Sequence, residues 1–275
     1  MPIRRTLLLS ALLAPLFGVT HKRVKLWLRV RLGRLMFMLL RNRHRPWPAR
    51  SDKVTLVFAP HQDDEALGCG GLISHRIALG EAVHIVYITD GAGSHPAHPE
   101  YTPPMISGLR ADEARVAAGI LGVPGSNLVF LKAPDGQLPH LDPNVRADLV
   151  TRIAACVERI APSQVFVTSR LDGSSEHTAA SALVSDALAV IRIARPRQLE
   201  YVVWSLWSPR LLRPALRIAK LVHRHTLSTE EYRLKQNAIR AYRSQIEPLA
   251  PWHYSTLPAN FTRMFQDSEE FFFEF

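Results

Sequence analysis

From residue 53 onward, short apolar runs alternate with longer segments whose apolar positions recur at helical spacing. Strands are expected at 54–59, 82–89, 128–131, 164–168 and 201–206, and helices at 65–79, 109–121, 145–160, 177–193 and 229–245. The breakers agree with these ends. Gly80 and Gly122 follow two of the helices, and Asp142 before Pro143 is a ready N-cap for a third. Strands alternating with helices predict an α/β fold with a mostly parallel sheet covered on both faces. Residues 90–107 read as a loop of Gly, His and Pro. The end of the chain, through Glu269, Glu270, Phe271, Phe272 and Phe273, reads as an irregular tail. No internal repeat or low-complexity tract interrupts the pattern, so one body at 51–275, preceded by an arm at 1–50, is the economical organisation.

Charge separates the arm from the body. Residues 1–50 hold twelve Lys or Arg and no Asp or Glu, whereas the remainder holds twenty-two against twenty-four. The net charge of +10 therefore belongs to the arm. A body that is nearly neutral argues against nucleic acid as a partner, because a nucleic-acid site should be lined with basic residues.

Arg4 and Arg5 precede an apolar stretch at 6–20, which lacks a small-x-small cleavage site and is shorter than the roughly 20 residues that span a bilayer. Residues 22–31 interleave basic and apolar side chains, and Trp27 and Phe37 would suit an anionic lipid interface. The arm is read as an uncleaved anchor or interfacial segment. A cleaved signal peptide and a basic helix packed on the body are the alternatives. The positive charge beyond Thr20 would keep the body on the cytoplasmic side, so the expected location is the cytoplasm at the inner face of a membrane. Residues 45–48, Arg-Pro-Trp-Pro, resemble a stiff linker. Cys69 and Cys156 form no CxxC pair, which fits a reducing compartment. Cys69 is expected to be a small buried residue.

The first strand runs directly into Ala59-Pro60-His61-Gln62-Asp63-Asp64-Glu65. Ligands in open α/β sheets bind at the carboxyl edge of the strands, and histidine with carboxylate is a ligand set for a divalent metal, zinc by default and iron as a second candidate. A residue and its third neighbour can face one point near a strand-to-helix turn. His61 and Asp64 are thus candidate ligands, with Asp63 directed at water as a general base. A third ligand should come from another strand end, and His177, after the 164–168 strand, is the best placed. Taken singly, an acidic helix start that complements the helix dipole, or a histidine near a cap, would need no metal.

These residues carry a family resemblance. His61-Gln62-Asp63-Asp64-Glu65 with Gly68-Cys69-Gly70-Gly71 resembles the signature of the PIG-L/LmbE-like N-acetylglucosaminyl deacetylases, commonly His-Pro-Asp-Asp-Glu. The likeness continues through Thr89-Asp90-Gly91, Arg110-Ala111-Asp112-Glu113-Ala114, Leu121-Gly122-Val123 and Leu131-Lys132-Ala133-Pro134-Asp135-Gly136. It returns at Lys235-Gln236-Asn237-Ala238-Ile239 and Tyr242-Arg243-Ser244-Gln245. It implies a Rossmann-like three-layer sandwich and a zinc-dependent amidase that removes acetyl from an N-acetylated amino sugar. It also implies that His61, Asp64 and His177 hold zinc and Asp63 is the base, while Arg110 and Asp135 contact the sugar. The family's later motif commonly reads His-Pro-Asp-His. Here it is Ser174-Ser175-Glu176-His177, so Ser174 stands where a histidine would assist, and serine carries no proton near neutral pH.

His95, His98 and His140 lie on loops that could reach the site, although ordinary loop histidines are expected. The arm would bring such an enzyme near lipid-linked N-acetylamino sugars or glycoconjugate precursors. A catalytically weak member that binds a sugar or glycolipid is the alternative. A nucleotide-binding protein is disfavoured, because the Gly68–Gly71 cluster follows the acidic residues inside a helix instead of forming the turn after the strand.

Overall fold

The computed structural model describes Leu35 and residues 45–46, 54–207 and 222–274. The expectations for the rest of the arm lie outside the described residues. Among the described residues eight strands form one sheet: β1 (Arg45–Pro46), β2 (Thr55–Ala59), β3 (Val83–Thr89), β4 (Leu128–Ala133), β5 (Gln164–Thr168), β6 (Arg197–Tyr201), β7 (Val222–Thr226) and β8 (Glu269–Phe273). Their order is β1-β7-β8-β6-β5-β2-β3-β4. The described α-helices are α1 (Asp64–Ala78), α2 (Pro103–Ile120), α3 (Pro143–Ile160), α4 (Ser175–Val190), α5 (Thr229–Ala241) and α6 (Arg243–Ile246). None is long and apolar enough to cross a membrane.

Alternation along β2 explains the layers. Leu56 and Phe58 face a core shared with Ile153 and Val157 of α3 and Val184 and Leu188 of α4. Val57 and Ala59 face the opposite core, with Leu72 and Ile73 of α1, Ala114 and Ala118 of α2 and Ala238 of α5. A strand buried on both sides has no polar face, which is why its sequence is a continuous apolar run. β2 pairs in parallel with β3 on one side and β5 on the other. The chain therefore reverses its direction of travel across the sheet at β2. Such a switch point opens a crevice at the carboxyl ends of the strands, and the segments carrying His61–Glu65 and Asp172–His177 leave the sheet there.

Several boundaries differ from expectation. The expected strand at 201–206 ends at Tyr201, and Trp204–Leu206 form a 3₁₀ turn. The Asp172 carboxylate accepts from the amides of Val203, Trp204 and Ser205 at 2.8, 2.9 and 2.9 Å, replacing ladder partners. The helix expected from 109 begins at Pro103, since prolines suit a first helical turn. The helix expected at 229–245 breaks at Tyr242, whose ψ of 58° is not helical. The tail is not irregular: β8 lies antiparallel between β6 and β7.

A charged residue anchors β8. Buried Glu270 meets Lys235 Nζ of α5 at 2.7 Å and accepts from the Gly71 and Leu72 amides of α1 at 2.8 Å each. The glycines of that helix allow this approach. A Cβ on Gly68 would stand 2.1 Å from the Tyr201 ring, and one on Gly71 would stand 2.4 Å from Leu227. The Gly68–Gly71 cluster is thus a packing feature between α1 and its neighbours. Cys69 and Cys156 are both buried and free.

Candidate active site

His61 stands just past β2. Its amide donates to Asp64 Oδ2 at 3.0 Å, and its ring Nδ1 lies 3.2 Å from the same oxygen. His177, in the first turn of α4, brings Nε2 to 3.3 Å from that oxygen. Asp64 Oδ2 therefore sits between imidazole nitrogens delivered by two different strand ends. Zinc donors at about 2.0–2.1 Å in tetrahedral array stand about 3.3 Å apart, which this spacing matches. His177 Nε2 is fully buried and makes no hydrogen bond, while its Nδ1 is held by Asp172 Oδ2 at 2.5 Å. Two imidazoles and one carboxylate, with an imidazole nitrogen otherwise unsatisfied, fit a divalent cation.

The electrostatics agree. Burial opposes charge on both partners. Even so, the facing His177, then His61, hold the Asp64 carboxyl well below the ordinary carboxylate range. Burial likewise works against protonation of His177, yet Asp64 and Asp172 push it up to about 9. A field that stabilises a proton between these groups would also stabilise a cation in its place.

Asp172 is not singled out by the sequence. A carboxylate five positions before a ligand histidine, in the same loop, is the available signal, because ligating imidazoles usually donate their other N–H to such a group. Asp172→Asn keeps the shape and removes the charge. It is expected to lower zinc affinity by about 10–100-fold, measured by competition with a chelator. Unchanged affinity would remove Asp172 from the site.

The far nitrogen of His61 faces two more acids. Nε2 lies 3.1 Å from Asp135 Oδ1 and 3.5 Å from Glu176 Oε2. Burial works against ionisation of Asp135, but His61 and then Arg110 bring its carboxyl below the usual value. Asp135 is thus in contact with a candidate ligand as well as on the cavity wall.

Asp63 occupies the N-cap of α1 with φ 143° and ψ −27°. That conformation costs a non-glycine residue of order 1–3 kcal/mol, and such strain persists only where surrounding contacts impose it. Here the Asp63 amide donates to Glu65 Oε2 at 3.2 Å, and the other Glu65 oxygen takes the buried Tyr242 hydroxyl. Arg110 reaches in from α2, with NH2 3.5 Å from Asp63 Oδ1 and 2.6 Å from the Gln62 carbonyl. Burial pushes Asp63 up to about 7, with Arg110 opposing and Asp64 reinforcing the rise. A carboxyl poised near neutrality suits general acid–base work.

These groups line a cavity of about 180 Å³. His61, Asp63, Asp64, Arg110 and Asp135 are its polar part, and Leu67, Val203, Trp204 and Leu257 its apolar part. The last three, with Thr256, are not foreseen by the sequence. Ser174 does not line it; half-buried, it caps α4 by accepting from the His177 amide at 3.4 Å. His95 packs against Trp252 with ring centres 5.3 Å apart, and burial followed by Arg110 lowers its pKa. His98 also lies against Trp252, at 4.9 Å, and His140 is exposed. None of these three histidines lines the cavity.

Comparison with known proteins agrees with this architecture. A conserved protein from Thermus thermophilus superposes with a TM-score of 0.50 at 26% identity, over 70% of this chain and 79% of its own. The N,N'-diacetylchitobiose deacetylase from Pyrococcus horikoshii superposes with a TM-score of 0.55 at 21% identity, over 71% of each chain. A zinc-inhibited form of a teicoplanin deacetylase gives 0.53 at 17% identity, over 70% of this chain and 85% of its own. Residues 56–188, from the first long strand to the helix that carries His177, match the family model described as PIG-L, GlcNAc-PI de-N-acetylase. By that match, and with the fold just described, this region belongs to the PIG-L family.

Proposed function

We propose that this chain hydrolyses the acetamide of an N-acetylated amino sugar, releasing acetate and a free amine, with zinc held by His61, Asp64 and His177. The observation that carries the reading is the pairing of Asp64 Oδ2 with imidazole nitrogens at 3.2 and 3.3 Å, next to a buried acid raised to about 7. The chemistry that a divalent ion, zinc or iron, supplies at such a donor set is Lewis acidity toward water and toward an amide carbonyl.

The chain's own residues do the rest. Asp63 takes a proton from the attacking water and returns it to the departing amine nitrogen. Its raised pKa suits both halves of that transfer. Ser174 is committed to the helix cap, so the proton return falls to Asp63. Arg110 and Asp135 orient sugar hydroxyls from the polar part of the lining, and Trp204 and Leu257 exclude water from the apolar part. The body at 51–275 carries the chemistry. The arm at 1–50 is the part that would meet a membrane bearing lipid-linked or glycoconjugate substrates. The family description names a phosphatidylinositol-linked sugar, and the neighbours' names include a chitobiose derivative and a glycopeptide.

The test is a panel of free and lipid-linked N-acetyl amino sugars incubated with the full chain. Equimolar acetate and amine, abolished by a chelator and restored by zinc, are expected. Sugar binding without release across the panel would instead favour a binding protein, the reading that Ser174 suggests.

A further inference from the structure

A second set of ligand-type side chains lies at the opposite end of α1 from Asp64. His75, in the last turn of that helix, places Nδ1 2.7 Å from Glu231 Oε1. His225 of β7 places Nε2 3.6 Å from Glu231 Oε2, and the two imidazole centres stand 4.7 Å apart. One ligand atom from each residue lies within 4.8 Å of the other two. The rise of an α-helix separates this cluster from the catalytic acids by about 16 Å along α1.

We propose that His75, His225 and Glu231 form a second divalent-cation site, of zinc type, that ties the end of α1 to β7 and to the start of α5.

Four features support it. Two imidazoles with one glutamate are a recognised zinc donor set that leaves a fourth position for water. The side chains of His225 and Glu231 are nearly enclosed, at 7% and 13% exposure, whereas His75 keeps 33%, which opens that position to solvent. The spacings of 2.7 and 3.6 Å straddle the value of about 3.3 Å expected between tetrahedral zinc donors, so side-chain rotation alone would complete the site. The Glu231 carboxylate is also oriented, because its Oε2 accepts from the Ser228 amide at 2.8 Å in a capping box. Outer contacts of this kind hold metal-ligating carboxylates in place.

Local charge leaves room for a cation. Arg76 is matched by Glu81 at 3.0 Å and Lys235 by Glu270 at 2.7 Å, so Glu231 presents its negative charge to the two rings. Burying the His225 imidazole beside a second imidazole from a distant part of the chain costs free energy that a shared metal would offset.

Calorimetric titration of the chelator-stripped full chain with zinc tests this. Wild type should bind two zinc ions per chain. His75→Ala, at the most exposed position, and Glu231→Gln, which retains a cap acceptor, should each bind one. His177→Ala should also bind one, and zinc should still raise its melting temperature. The double variant His75→Ala/His177→Ala should bind none. A zinc stoichiometry unchanged from wild type in both His75→Ala and Glu231→Gln overturns the second site, whatever happens at His177.

Discussion

Asp63→Asn is expected to keep zinc at wild-type stoichiometry and to lose most turnover, a fall on the order of 10²–10⁴ in kcat. Asparagine fills the same volume and can occupy the same position beside Arg110. It cannot accept a proton from water. Because Asp63 is not one of the three candidate ligands, the variant should keep its metal. Its backbone is already held by Glu65 and its side chain by Arg110, at 3.2 and 3.5 Å, so the loss should appear in kcat with little change in KM. The pH profile carries the same information. Asp63 must be ionised to act as a base, and burial raises it to about 7, so kcat/KM should fall on the acid side along a limb at or below about pH 7. A positive ion nearby would move that limb lower. Steady-state kinetics with parallel metal analysis checks both statements, and full activity in Asp63→Asn would end the assignment of the base.

His177→Ala should lose zinc from the active site outright. It removes a donor, so the drop in affinity should exceed the roughly 10–100-fold cost of losing an outer partner. It should also destabilise the metal-free protein, because Asp64 and Asp172 lose the cation that separates them; breaking a buried ion pair costs about 3–5 kcal/mol. The sign with pH follows from the raised pKa. His177 contributes stability fully below its unfolded value of about 6.5, and that contribution fades as pH rises through about 9. Denaturant unfolding of metal-free wild type and variant at pH 6 and at pH 9.5 should therefore show a gap that narrows at the higher pH. A gap that widened would contradict the origin given for the shift.

How much of this could be read from the chain depends on where each residue finds its partner. β2, β3 and β5 are legible because their own apolar content buries them. β7, reading Val-His-Arg-His-Thr, and β8, with two glutamates, are not. Their polar residues are matched from other elements, Glu270 by Lys235 of α5, 35 positions away, and His225 by Glu231 across the turn into α5, pairings that no strand period displays. The site divides in the same way. His61, Asp63 and Asp64 share one short segment after a recognisable strand, and His177 follows the neighbouring strand. Asp172 escapes notice because its function is set by amides about thirty positions later, at 203–205, together with the His177 ring. Trp204 and Leu257 reach the cavity only because that turn and the C-terminal segment fold over it. Ser174 shows the converse. The family likeness puts it where a histidine would assist, whereas at the start of α4 its hydroxyl oxygen accepts from the His177 amide.

Anomalous diffraction at the zinc edge from crystals of the zinc-loaded protein is the most direct measurement. One peak is expected within about 2.0–2.1 Å of Asp64 Oδ2, His61 Nδ1 and His177 Nε2. A peak bonded instead to His61, Asp135 and Glu176, or none near Asp64 in a crystal whose zinc content is established, would contradict the assignment of the ligands.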